Sequence, residues 1–211
     1  MSSFRLAALG VAVAGSMMAT QATAEVEVAA SAAVASTYLW RGIDLGSGTP
    51  AVSGDITVST AGAYAGIWGS SGDTATGSEY DLFAGYGGSI EDFSYDISLW
   101  AYTYPSNNAL DTFGEASDLV VSLGYGPVAF TYYDSLQSGS AYYTLEAGYE
   151  EFSAKLGYSD PVADDSTYTH IDLGYAYNDN LSFTLSKMID SDVGSGVDED
   201  TLFVVSYSLP I

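Results

Sequence analysis

From residue 25 onward the chain alternates. In 117–125, Leu119, Val121, Leu123 and Tyr125 share one parity, and Asp118, Val120, Ser122 and Gly124 share the other. Segment 141–149 sets Tyr143, Leu145, Ala147 and Tyr149 against Tyr142, Thr144, Glu146 and Gly148. In 152–159, Phe152, Ala154, Leu156 and Tyr158 oppose Ser153, Lys155, Gly157 and Ser159. In 167–177, Ile171, Leu173, Tyr175 and Tyr177 oppose His170, Asp172, Gly174 and Ala176. A period of two marks a strand with unlike faces. Here one face is large and apolar, and the other is small or charged.

Twelve such segments are predicted: 26–40, 51–60, 63–69, 79–88, 93–104, 117–125, 128–134, 141–149, 152–159, 167–177, 181–189 and 201–209. Gly, Asp, Asn or Pro closes them. The links alternate in length. Those at 41–50, 70–78, 105–116, 135–140, 160–166 and 190–200 are long and polar; those at 61–62, 89–92, 126–127, 150–151 and 178–180 are short. Transmembrane barrels carry tight periplasmic turns and longer outer loops, and an even strand number returns both chain ends to one side. The predicted fold is therefore all-β, an outer-membrane β-barrel of about 12 antiparallel strands. A secreted or periplasmic β-sandwich also alternates, but it has no reason to sort its links by parity.

Aromatic residues fit two membrane boundaries, where ring and polar tip meet different surroundings. Tyr38, Trp40, Tyr102, Tyr104, Tyr132 and Tyr133 fall beside long links, and Tyr86, Tyr125, Tyr149, Tyr175 and Tyr177 beside short ones. Phe203, Val205, Tyr207, Leu209 and Ile211 close the chain in outward phase. Ahead of the strands, Arg5 precedes an apolar run from Leu6 to Met18 and the small-residue exit Ala22-Thr23-Ala24. That order reads as a signal peptide over 1–24, removed before Glu25, and leaves 25–211 as a single barrel domain. The expected location is the outer membrane of a Gram-negative bacterium, with its lipid as the first partner.

Charge narrows the partners. Four Lys and Arg stand against 27 Asp and Glu, a net charge of -23, so a phosphate backbone would be repelled and nucleic acid is excluded as a partner. There is no cysteine and one histidine, His170. Thiolate metal sites, disulfides and most imidazole chemistry are thereby removed. Asp190, Asp192 and the run Asp198-Glu199-Asp200 lack EF-hand spacing, so no cofactor is expected beyond a weak loop-bound divalent cation. Asp172 lies two residues from His170, about 6–7 Å away by strand rise. An orienting acid would have to come from an adjacent strand, with Ser153 or Ser182 as neighbouring hydroxyls. No catalytic residue is assigned, and an enzyme is not expected.

Solute passage is the better expectation. Twelve strands tilted about 40° enclose a backbone cylinder roughly 24 Å across. On this register the inward groups are Glu27, Asp55, Asp81, Asp96, Asp118, Glu146 and Asp172, with Lys155 and His170. Such a wall favours small cations. The alternative is a non-conducting structural or adhesin-like barrel. The oligomeric state stays open, with a monomer favoured. Whether a long loop enters the bore is not written in the alternation.

One stretch carries a family pattern. Ser36-Thr37-Tyr38-Leu39-Trp40-Arg41-Gly42-Ile43, then Pro50-Ala51-Val52 with Gly54, then Tyr64-Ala65-Gly66 with Trp68-Gly69-Ser70, resembles the TorF-type porins of proteobacteria. Arg41, Gly42, Pro50, Ala51, Gly54, Trp68 and Gly69 fall on matching positions. The departure is Asp44-Leu45-Gly46, where that family tends to carry Ser or Gln. The resemblance covers roughly 36–70 and implies a porin-like barrel. Independently of it, Arg41 is expected to tie the first outer loop to a carboxylate, with Asp44 adjacent and Asp55 one strand over.

Overall fold

A computed structural model describes residues 25–107, 109–163 and 165–211; the expected signal peptide lies outside the described residues. Twelve long strands form a closed antiparallel barrel: β1 (Glu27–Ala35), β4 (Ala51–Thr60), β5 (Ala63–Asp73), β6 (Gly77–Ile90), β7 (Phe93–Thr103), β8 (Ala116–Tyr125), β9 (Val128–Ser135), β10 (Ala141–Tyr149), β11 (Phe152–Asp160), β12 (Tyr168–Ala176), β13 (Leu181–Ser191) and β14 (Leu202–Pro210). Each pairs with its chain neighbours, and β14 pairs with β1 to close the ring. Two short strands, β2 (Leu39–Trp40) and β3 (Ile43–Asp44), form a separate hairpin. Among the described residues no helix is long and apolar enough to cross a membrane.

Closure leaves no unpaired edge, which is how a β-structure satisfies its backbone without water. Two expectations about the links need correction. The strand expected over 26–40 ends at Ala35, and the chain then leaves the wall. The link expected over 70–78 contracts to 74–76, because β5 and β6 stay paired as far as Asp73 and Gly77. The opposite links remain short. Ala61 (φ 50°) and Gly62 (φ 87°) take the two left-handed positions that a two-residue hairpin turn requires.

The parity of each strand decides its environment. Ile56, Leu82, Leu99, Leu123, Leu145, Leu156, Leu173 and Leu185 form an exposed apolar belt around the outside. Tyr86, Tyr125, Tyr149, Tyr175 and Tyr177 are exposed near the short-turn end. The buried hydrophobic cluster lies inside the ring: Tyr38, Ala51, Trp68 and Phe83, with Trp40, Leu45, Tyr64 and Trp100 against them. A barrel this wide cannot fill its interior from small wall residues alone. Residues from the first long link supply the missing volume.

Candidate functional site

The link over 36–50 folds into the bore. Its β2–β3 hairpin turns through Arg41 (φ 49°) and Gly42 (φ 81°). A residue with a Cβ in the left-handed region costs about 1–2 kcal/mol, so this turn ordinarily favours Asn, Asp or Gly ahead of Gly. Arginine is held there by what its side chain reaches. The hairpin base is stitched by the Leu45 amide to the Tyr38 carbonyl (2.8 Å) and by the Thr37 hydroxyl to Asp44. The second Asp44 oxygen accepts the Gly48 amide (2.9 Å). Asp44 thus contributes a loop contact of its own. The Thr74 amide donates to the Leu45 carbonyl (3.0 Å), which fastens the hairpin to the β5–β6 link.

Pro50 immediately precedes β4, and Ala51 is buried at its start. Gly54 serves close strand approach, since a Cβ there would lie 2.8 Å from the Ser31 carbonyl oxygen.

One side of the hairpin packs on the β5–β7 wall. Tyr38 tilts against Trp68 with ring centroids 6.1 Å apart, and Phe83 stacks on Trp100 at 4.4 Å. The Tyr38 and Tyr104 hydroxyls each donate to the Glu79 carboxylate at 2.6 Å. Burial and the adjacent Glu79 charge push the Tyr38 hydroxyl well above the usual phenol range. Tyr38, Trp40, Tyr102, Tyr104 and Tyr133, which the sequence places at an outer girdle, face the bore instead.

The other side reaches across to β8–β12. Arg41 Nη2 donates to Asp118 Oδ2 at 2.6 Å, and the Tyr102 hydroxyl donates to the same oxygen at 3.1 Å. The guanidinium carbon lies 4.4 Å from the Trp40 ring centroid, 4.8 Å from Tyr133 and 4.7 Å from Tyr142. Burial is the largest influence and opposes this charge, but Asp118, Tyr102 and Tyr133 together outweigh it and hold Arg41 above its ordinary pKa. The partner is neither Asp44 nor Asp55, because the hairpin carries Arg41 away from both. Gly42 rests on His170: a Cβ there would meet the imidazole Cγ at 2.5 Å.

Beneath Gly42, the Tyr142 hydroxyl lies 2.7 Å from His170 Nε2, and His170 Nδ1 lies 3.0 Å from Asp172 Oδ1. Ser186 donates to that same oxygen at 2.6 Å. Strand rise therefore misjudged the His170–Asp172 pair; two long side chains on one face lean together and close the gap. Ser186 and Tyr142 are the hydroxyl neighbours, rather than Ser153 and Ser182. His170 and Ser186 are 0% exposed.

The remaining inward charges are dispersed. Asp55 accepts from Ser31, Asp96 accepts from the Tyr64 hydroxyl (2.8 Å), and Lys155 lies 3.2 Å from Glu146. Glu27 is exposed at the start of β1. Asp81 is buried, with Oδ1 lacking a hydrogen-bond partner. Asp96 pairs with Ser122, so Asp118 sits four residues earlier on β8, about 13 Å away by rise. Those two acids, although on consecutive strands, occupy different levels of the bore. Below the hairpin the wall is low, lined by Ser31, Thr57, Ser122, Thr131 and Ser153, all partly exposed.

The candidate site is thus a bore bridged by its own first loop, with rings and a buried carboxylate on both sides. No curated protein matches this chain significantly. Residues 19–207 match the family described as a bacterial protein of unknown function (Gcw_chp), and the chain belongs to that family.

Proposed function

We propose that this protein is an outer-membrane barrel that passes small solutes, cations ahead of anions, through a bore narrowed by its first loop. The observation that carries this reading is the division of the interior. The hairpin bridges the bore from β5–β7 to β8–β12, while the wall below it keeps hydroxyls and the partly exposed carboxylates Asp55 and Asp96. The exposed apolar belt suits lipid, and the resemblance of 36–70 to TorF-type porins points the same way. The reading includes a cleaved leader at 1–24, residence in a Gram-negative outer membrane, and no resident cofactor. The buried Tyr142–His170–Asp172–Ser186 chain then serves to seat the hairpin tip rather than to catalyse.

Membrane residence has a direct check. Leu123 is 45% exposed on the belt, and arginine on a lipid face costs about 2–4 kcal/mol near the midplane. Leu123→Arg is expected to block assembly into the membrane fraction. A soluble, well-folded monomer from that variant would exclude the barrel's lipid setting.

Conduction is tested by planar-bilayer recording under a KCl gradient. Among the described inward groups, carboxylates outnumber the bases Arg41 and Lys155. The reversal potential is expected to be cation-selective, and Lys155→Ala to make it more so. An anion-selective potential would refute the charge assignment. A non-conducting barrel is the second reading, favoured by the complete burial of His170 and Ser186 behind the hairpin tip. The absence of channels would establish it.

A further inference from the structure

We infer that the bore wall carries a binding site for planar guanidino cations, occupied in this structure by the chain's own Arg41. Three of the groups around that guanidinium belong to the wall and stay when the hairpin leaves: Asp118 on β8, Tyr133 on β9 and Tyr142 on β10. Tyr102 on β7 holds the Asp118 carboxylate through its hydroxyl. One acceptor and two ring faces, already oriented by the wall, match a flat cation that hydrogen-bonds at its edge and stacks on its faces. A sodium ion lacks the flat faces, and a tetraalkylammonium head lacks both the flat faces and an N–H to donate.

The wall does not obtain this arrangement from Arg41 alone. Tyr142 is fixed by His170, which is in turn fixed by Asp172 and Ser186, so its ring stands in place independently of the hairpin. Asp118, largely buried, has a standing need for a cation once Arg41 is removed. Arg41 also occupies a strained left-handed backbone position, which its side-chain docking offsets. A guanidino or amidine solute in the bore therefore competes with an intramolecular rival, and its binding releases the hairpin from this wall. The site does not depend on conduction; its use as a station for solutes rests on the channel reading.

Calorimetric titration of the full chain in detergent micelles, with methylguanidinium as the probe and sodium and tetramethylammonium as comparisons, separates the two. A tethered group competes at an effective concentration in the millimolar range, so removing it exposes the site. Arg41→Ala is expected to bind methylguanidinium at least about tenfold more tightly than the unaltered chain, and about tenfold more tightly than tetramethylammonium. Adding Asp118→Ala is expected to abolish that gain. If Arg41→Ala does not fold, Arg41→Lys is titrated instead, with the same order expected because an ammonium leaves the planar slot unfilled. Equal titration of variant and unaltered chain, or no preference for methylguanidinium over tetramethylammonium, would overturn the site. Neither result depends on current through the bore, so a silent bilayer leaves the proposal standing and a conducting one does not rescue it.

Discussion

Replacing residues 36–50 by an Asn-Gly turn is expected to raise unitary conductance several-fold and to steepen cation preference. β1 and β4 are already paired at Ala35 and Ala51, so a two-residue turn closes them without moving either strand. The replacement removes Tyr38, Trp40 and Leu45 from the interior, together with the Arg41 charge. It uncovers Glu79 and Asp118, which the hairpin now neutralises or shields. Fewer obstructing atoms raise the current, and the loss of a base beside new carboxylates raises the cation share of it. Stability moves the other way, because Trp68 and Phe83 lose an apolar partner to water. Recordings of both proteins side by side decide the point. Equal conductance would show that the hairpin is not the constriction, whereas current from the shortened chain alone would identify it as a plug.

The barrel was legible because alternation is local. Segments 51–60 and 141–149 carry their own boundaries in Pro50, Thr60-Ala61-Gly62, Ser140 and Glu150-Glu151, and the strands end where those residues stand. The destination of the first loop was not local. Tyr38 and Trp40 suit a membrane boundary, but a ring with a polar tip suits a bore that mixes rings with buried carboxylates just as well.

Asp118 is 77 residues from Arg41, and nothing near either residue encodes the pairing. A signal was nevertheless present. Trp68, Phe83 and Trp100 are large residues on the parity otherwise held by Gly66, Gly85 and Ser98. Three bulky inward residues on consecutive strands call for something to pack against, and Leu39-Trp40-Arg41-Gly42-Ile43 has the apolar flanks and turn of a small hairpin. Glu79 shares Asp81's parity but opens its expected strand, where parity alone does not mark a side chain as inward. The Tyr142–His170 pair could not be read from either strand, since their side chains meet across Gly157 of the intervening β11.

Asp118→Ala carries the second large effect. The substitution leaves the Arg41 charge inside the bore with rings around it and no counter-charge. Orphaning one member of a buried ion pair costs about 3–5 kcal/mol. Arg41 keeps 17% of its side chain exposed and retains its ring contacts, so the low end, about 3 kcal/mol, is expected. That loss falls on hairpin docking rather than on the barrel, whose ladders do not involve Asp118's side chain. Amide exchange resolves the difference. The Leu45 amide, bonded across the hairpin base, and the Thr74 amide, bonded from the β5–β6 link to Leu45, are expected to lose roughly a hundredfold in protection. Amides in β10–β12 keep theirs. Asp118→Asn retains an acceptor for the guanidinium and is expected to lose less, which separates the missing hydrogen bond from the missing charge. Unchanged protection at Leu45 in Asp118→Ala would mean that the aromatic face, through Tyr38 and Trp68, holds the hairpin without help from the ion pair.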